Sequence, residues 1–374
     1  MPENLRRFFG RIYAMAYKET LHVRRDPRTL WLAIGMPMLM IILFGYGVSF
    51  DVDHIPVGLM DQDQTVASRK LVEALTSSHE LVIATHPTSQ DEAEGDMKRH
   101  EAWAVVVIPH GFEDGLTRGE PQEIQLLVDG ADAAIANQIL TKADLLGRAA
   151  VLKFLPIKLE QPISAVAANR FNPASVSAPF LVPGLTAWVL ALASVLLTAL
   201  SVAREWERGS MEQLFATPVG SLEIILGKLL PYLGLGFIQA SLVLAAGAVV
   251  FGVPMQGLGL VFVAVLLFLA GMLGQGLLIS VVTKNQMVAT QVGTFSALLP
   301  SLLLSGFLFP IANLPVPLQY VSAVIPGRWF VGLLRAVLLR GAGFEAVWVN
   351  FLGLACFALF MIVASTKRFQ RRLA

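Results

Sequence analysis

Between Val202 and Leu229 the chain reads AREWERGSMEQLFATPVGSLEIILGK, a charged stretch set between two long apolar runs. Arg204, Glu205, Glu207, Arg208 and Glu212 crowd into nine positions, and Thr217-Pro218 then supplies a helix stop. A link that merely joined two apolar helices would need neither the carboxylates nor the stop. Charge at this density suits docking and mechanical coupling to a partner protein, and bond-making chemistry has no counterpart elsewhere. A phosphate-binding loop needs G-x-x-x-x-G-K-[ST]; here Gly227-Lys228 is followed by Leu229 and lacks the upstream glycine. Neither G-x-S-x-G nor H-E-x-x-H occurs, so no catalytic residue is assigned.

Metal binding is not expected either. Asp61-x-Asp63 opens like a calcium loop, but Gln64, Thr65 and Val66 provide neither the third ligand nor the glycine, so helix-capping carboxylates are the better reading. Five of the six histidines (His54, His79, His86, His100, His110) fall in one segment without any pair at ligand spacing on a helix. The lone cysteine, Cys356, lies in the last apolar run, so that segment folds without disulfides.

The elements that hold the charged stretch are membrane helices. Hydrophobic residues make up 55% of the chain and charged residues 15%, and the mean hydropathy is +0.65. No charge occurs from Leu229 to Thr283 or from Asn285 to Gly327, whereas a bilayer span needs only about 20 apolar residues. Six spans are expected: Leu30 to Phe50, Ala178 to Ala203, Leu229 to Gly252, Leu258 to Thr283, Val288 to Ala312 and Ala346 to Thr366. The GVPMQG link turns the third and fourth into a hairpin. No Asp, Glu, Lys, Arg or His falls inside these spans, so an ion relay is not expected and energy must come from a separate subunit.

Seven Lys and Arg precede Leu30, and Lys367, Arg368, Arg371 and Arg372 lie at the C-terminus, which puts both ends in the cytoplasm. The link at 204–228 is then cytoplasmic and 51–177 lies outside, where nineteen Asp and Glu face ten Lys and Arg. The N-terminal run is too basic and its apolar part too long for a cleaved leader. Residues 1–29 read as a cytoplasmic amphipathic interface helix, with Phe8, Ile12, Met15 and Ala16 on its membrane face and Asp26-Pro27 as its stop. Residues 367–374 form a tail.

Segment 51–177 is large enough for its own core. Strands in IPVGLM, ELVIAT, AWAVVVI and EIQLLV alternate with helices near Ala67 to Leu75, Gln90 to Arg99, after Pro109, and from Ala131 to Phe154. That order gives an α/β domain with a small mixed sheet. Between the fifth and sixth spans, residues 313–344 carry Arg328 and Arg335 on one helical face, which predicts an interfacial helix with snorkelling arginines that lies along or dips into the outer leaflet, after a break from Gly306 to Pro310.

The stretch E-x-E-x-G-S-x-E-x-L-x-x-T-P, from Glu205 to Pro218, resembles the cytoplasmic loop signature of the ABC-2 family of ABC-transporter permeases. KETLHVRRDPRTLWLAIGMPMLMIILFGYGVSF is similar to the family's opening pattern. VGLMDQDQT, VVVIPHGFEDGLTRGEP, LPSLLLSGFLFPIANLP and IPGRWFVGLLRAVLLRGAG extend the likeness over nearly the whole chain. The nearest subgroup is the long form with a large extracytoplasmic domain, of drug-efflux type.

The resemblance implies an α-helical polytopic membrane protein of type V exporter architecture, with six transmembrane helices and the α/β domain inserted between the first two. It implies a half-transporter in the bacterial inner membrane that pairs with a second copy or a sister permease. A separate ABC ATPase would carry ATP and magnesium, so this chain binds no cofactor of its own. A periplasmic membrane-fusion adaptor is a further partner, and nucleic acid is not one.

By the same resemblance Glu205, Glu207, Gly209, Ser210, Glu212, Gln213 and Leu214 form the ATPase-coupling region, with Thr217 and Pro218 fixing where its helix ends. Lys18, Glu19, Arg25, Asp26 and Pro27 belong to the cytoplasmic interface, and Gly306, Pro310, Arg328 and Arg335 to the outer gate. A charge-free set of spans suits a lipophilic, drug-like or lipid-like substrate moving outward. Two other functions fit the same residues: a mechanotransmitter acting on a periplasmic partner, and a membrane-anchored receptor or secretion accessory protein.

Overall fold

Short apolar runs closed by polar turns produce the strands of one part of the chain; long apolar runs produce the helices of the other. The computed structural model describes residues 3–47, 54–77, 80–131, 178–211 and 219–369, with short stretches between 135 and 147. Two units result, one of Met1–Ser49 with Asn169–Ala374 and one of Phe50–Ala168.

In the Phe50–Ala168 unit, β1 (Ile55–Asp61), α4 (Val66–Thr76), β2 (Leu81–Thr85), α5 (Gln90–Lys98), β3 (Ala104–Ile108), α6 (Phe112–Thr117) and β4 (Gln125–Val128) follow in order. The sheet runs β2-β1-β3-β4, with β1 parallel to both β2 and β3, and β4 antiparallel to β3. All five residues of β3 are buried, as suits a strand covered on both faces. Ile55, Val57, Leu71, Leu75, Val106, Ile108 and Phe112 form its core.

The Asp61-x-Asp63 pair is used up in capping. Asp61 accepts from the Asp63 and Gln64 N–H groups and the Ser68 hydroxyl. Asp63 accepts from the Thr65 hydroxyl and the N–H groups of Gly111, Phe112 and Glu113. The Thr65 hydroxyl, with those three amides, holds the Asp63 carboxyl below its usual range. Thr65 and Ser68 close a reciprocal capping box at the start of α4. The helix expected from Ala131 to Phe154 lies largely outside the described residues.

The other unit is helical. It begins with α1 (Glu3–Arg25), α2 (Pro27–Leu30), a π-helical turn (Trp31–Gly35) and α3 (Met36–Gly47). After residue 177 come α7 (Ala178–Glu207), α8 (Ser221–Phe251), α9 (Leu258–Thr283), α10 (Gln286–Leu303), α11 (Val316–Val324), α12 (Pro326–Leu334) with a π-helical turn to Leu339, and α13 (Phe344–Arg368). Among the described residues four helices (α7, α8, α9, α13) are long and apolar enough to cross a membrane. The count is five if α11 and α12, bent by 87° between them, make one broken span. This is a polytopic helical membrane protein.

Of the apolar window of α7, 94% is buried within the chain against 22% for α13, so α7 is central and α13 peripheral. Small residues let the helices approach. A side chain at Gly276 would meet Val195 and Thr198 of α7, and one at Gly271 would meet Phe357 of α13. Hydroxyl groups add cross-links: Thr198 donates to the Leu273 carbonyl at 2.9 Å and Ser365 to the Gly274 carbonyl at 3.0 Å.

Three expectations change. The charged link is shorter than 204–228, because α7 runs on to Glu207 and α8 begins at Ser221, so Arg204, Glu205, Glu223 and Lys228 lie on helices. The α1 face bearing Ile12 and Met15 packs on protein and not on lipid. A side chain at Gly227 of α8 would sit 2.5 Å from Met15 Cβ, so only glycine allows this approach, while Phe9, Tyr13 and Tyr17 form an exposed row at i, i+4, i+8. Of the two placements expected for the segment bearing Arg328 and Arg335, the one flat along a surface with snorkelling arginines does not hold. Phe330, Leu333, Leu334, Val337 and Leu338 are buried in the main core, and the arginines turn to backbone carbonyls, Arg328 to Gln319 and Arg335 to Gly306.

Candidate functional site

A lysine in an otherwise apolar helix is stable only if its charge is met. Lys228 stands two turns into α8 and is fully buried. Its Nζ lies 2.9 Å from Glu205 Oε2 on α7 and 3.5 Å from Glu19 Oε2 on α1. The Ser201 hydroxyl, 3.4 Å away, accepts from it. Glu19, 3% exposed, also accepts from the Tyr232 hydroxyl at 2.9 Å and from Ser201 at 3.3 Å. The other oxygen of Glu205 reaches Lys18 at 3.2 Å. Two cations and two carboxylates thus form a neutral chain, Lys18–Glu205–Lys228–Glu19, that ties α1, α7 and α8 together.

Neighbouring contacts extend it. Arg204 pairs with Asp26 at 3.2 Å. Asp26 also accepts from the Thr29 hydroxyl and N–H, so it caps α2 with Pro27 in the first helical position. Glu223 accepts from the Gly220 N–H at 2.6 Å and pairs with Arg11 at 3.4 Å, fixing the start of α8 against α1. A cavity of about 290 Å³ opens on the network, lined by Lys18, Glu19, His22, Ser201, Glu205 and Tyr232 among others.

The segment leaving α7 is set by its last residues. Glu207 accepts from the Gln286 N–H at 2.8 Å and from the Gln286 side-chain amide, bridging the end of α7 to the start of α10. Gly209 takes a positive φ of 70°, which turns the chain out of the helix, and the Ser210 hydroxyl donates to the Glu205 carbonyl. Glu212, Gln213, Leu214, Thr217 and Pro218 lie outside the described residues. Arg25 is exposed at the end of α1.

Two of the residues assigned to an outer gate, Gly306 and Arg335, meet at the opposite end of α7. Arg335 donates to the carbonyls of Gly306 (2.8 Å), Phe307 (3.2 Å) and Phe180 (3.2 Å), and stacks on the Phe180 ring at 3.7 Å. Gly306 has φ 81°, and the Phe307 ring packs against Gly184. Arg328 donates to the Gln319 carbonyl and Ser322 hydroxyl at the end of α11. Pro310 is exposed before a short 3₁₀ turn. Phe180 and Glu205 are 25 positions apart on one helix, about 37 Å along its axis.

Of the expected residues, the fold therefore joins Lys18, Glu19 and Glu205 in one network and Asp26 to Arg204 beside it. Lys228, Tyr232, Ser201 and Gly227 were not anticipated. The available signal was Lys228 itself, a charge next to an apolar run with a glycine before it.

The family model described as "ABC-2 family transporter protein" matches residues 27–367. The chain is 33% identical over 368 residues to the "Probable multidrug ABC transporter permease YbhS" of Escherichia coli, covering 97% of each. It is 28% identical to the YbhR permease of the same description, covering 91% of this chain and 93% of that one. To the "Inner membrane transport permease YhhJ" it is 26% identical, over 89% and 92%.

Proposed function

The chain belongs to the ABC-2 transporter family, and on that footing we propose that it is the permease half of an ATP-driven exporter of lipophilic, drug-like or lipid-like molecules. In this reading α3 and α10 are spans as well, giving six with the α11–α12 pair as a re-entrant hairpin. Both termini are cytoplasmic and the Phe50–Ala168 unit is extracytoplasmic. Two permease halves enclose the pathway in the inner membrane, each served by an ABC ATPase that binds ATP and magnesium. The names of the relatives, multidrug permeases among them, support the substrate class.

The observation that carries the mechanism is the buried network at Lys228. Force applied by the ATPase to the segment after Glu207 acts on α7, and Glu205 passes it through Lys228 and Glu19 to α8 and α1. The two ion pairs of Lys228 resist shear because separating it from both carboxylates leaves its charge unpaired out of water. Helix α7 then acts as a lever whose far end is held by Arg335 against the Gly306 break, so movement inside is felt at the outer carbonyl cluster. Lys18 and Arg204 with Asp26 steady the near end.

The test is reconstitution of the chain with its ATPase in proteoliposomes loaded with a lipophilic fluorescent dye. ATP-dependent dye movement supports an exporter. ATP hydrolysis that is stimulated by the permease yet moves no dye or lipid would favour a mechanotransmitter acting on a periplasmic partner.

A further inference from the structure

Beside the network lies a second hollow, of about 440 Å³, whose wall is strongly basic. His22 and Arg25 come from the last turns of α1, and Arg204 and Arg208 from the end of α7; Gln286 opens α10. Asp26 is the acidic member and is already held by Arg204. His22, Arg25 and Arg208 have no ion-pair partner among the described residues and are exposed. Leaving like charges together at one rim is unfavourable unless an anion joins them.

The height of the hollow says which anion. Arg204 follows the buried apolar stretch of α7, Gln286 opens α10 just beyond the end of α9, and the polar α2 (PRTL) precedes the apolar turn Trp31–Gly35 and α3. Three helical segments pass from apolar to polar at this level, which in a bilayer is the level of the lipid phosphates. Basic pockets between helices at the cytoplasmic face take anionic headgroups.

We propose that this hollow binds the phosphate headgroup of an anionic phospholipid of the cytoplasmic leaflet, through Arg25, Arg208 and His22. The lipid seats against Arg204 and the end of α1, so that its occupancy stiffens the corner from which α7 moves. The assignment to the cytoplasmic leaflet rests on the orientation proposed above, but binding itself needs neither ATPase nor transport, so its failure would leave the permease reading standing.

The full chain is purified into nanodiscs of phosphatidylcholine, and phosphatidylglycerol is titrated in while bound lipid is counted by native mass spectrometry. The expected result is selective retention of phosphatidylglycerol by the unaltered chain, weakened about thirtyfold in R25Q/R208Q, since each basic residue near an anionic surface is worth about fivefold. Melting in pure phosphatidylcholine should be unchanged. If the double variant does not fold, R25Q and R208Q alone, at about fivefold each, carry the test. Unchanged phosphatidylglycerol retention in the variants would overturn the proposal. So would saturation by millimolar inorganic phosphate alone, which would make it a soluble-anion site, or loss of ATPase binding with lipid retention intact, which would make it a protein-docking surface.

Discussion

Replacing Lys228 by methionine keeps an unbranched side chain, shorter by the ammonium nitrogen, and removes the charge that two carboxylates share. Glu19 then retains only the hydroxyls of Tyr232 and Ser201, while Glu205 keeps Lys18, which is more than half exposed. Breaking a buried pair by deleting one partner costs about 3–5 kcal/mol. At roughly 2–4 °C per kcal/mol for a unit of this size, K228M should lower the melting temperature by of order 10 °C. E19Q should be destabilising too, by removing the carboxylate and leaving Lys228 with Glu205 alone. In E19Q/K228M the loss should fall short of the sum of the two single losses by about 0.5–3 kcal/mol, because each substitution removes the charge that the other strands. Melting of the four proteins, followed by tryptophan fluorescence in neutral nanodiscs, gives the cycle. Strict additivity would mean that Glu19 and Lys228 do not share an interaction.

Valine at Gly227 should drive α1 away from α8, because its Cβ would stand 2.5 Å from that of Met15; the loss should be about 1–3 kcal/mol, read in the same melts, while alanine should do less harm. Asp63 has a depressed carboxyl pKa in the folded state, so its contribution is present above the ordinary value of 3.8 and is lost as pH falls through the lower folded value. Proteolysis of the Phe50–Ala168 unit should therefore rise below about pH 4, and D63N should flatten that dependence. Cysteine placed at Asp129 should react with an impermeant thiol reagent added to intact cells, and cysteine at Ser210 should not. Labelling of Ser210 from outside would reverse the proposed orientation.

The strands and helices from Ile55 to Val128 were legible in the sequence because each is bounded by its own capping or turn chemistry, as at Thr65 and Ser89. The long helices were legible because apolar runs leave few alternatives. Their ends were not. A charged residue beside an apolar run looks like the point where water begins, so Lys228 read as loop, although its partners lie 209 positions before it at Glu19 and 23 before it at Glu205. Spacing carries no information about charges that meet only after three helices have packed. The face of α1 failed for a related reason: amphipathic periodicity at Ile12 and Met15 marks an apolar neighbour without saying whether it is lipid or helix. Arg335 read as an interfacial side chain because hydrocarbon would reject it; the carbonyls freed at the Gly306 break were the third possibility.

In the proposed mechanism force enters through the carboxylates around Glu207 and leaves through the spans. This route is tested most directly by charge reversal at Glu207 and Glu212 in proteoliposomes containing the ATPase, with ATP hydrolysis measured with and without a transported dye. E207K/E212K should insert normally and retain basal hydrolysis by the ATPase, but lose both substrate stimulation and dye movement. Stimulation and dye movement equal to those of the unaltered chain would contradict the mechanism.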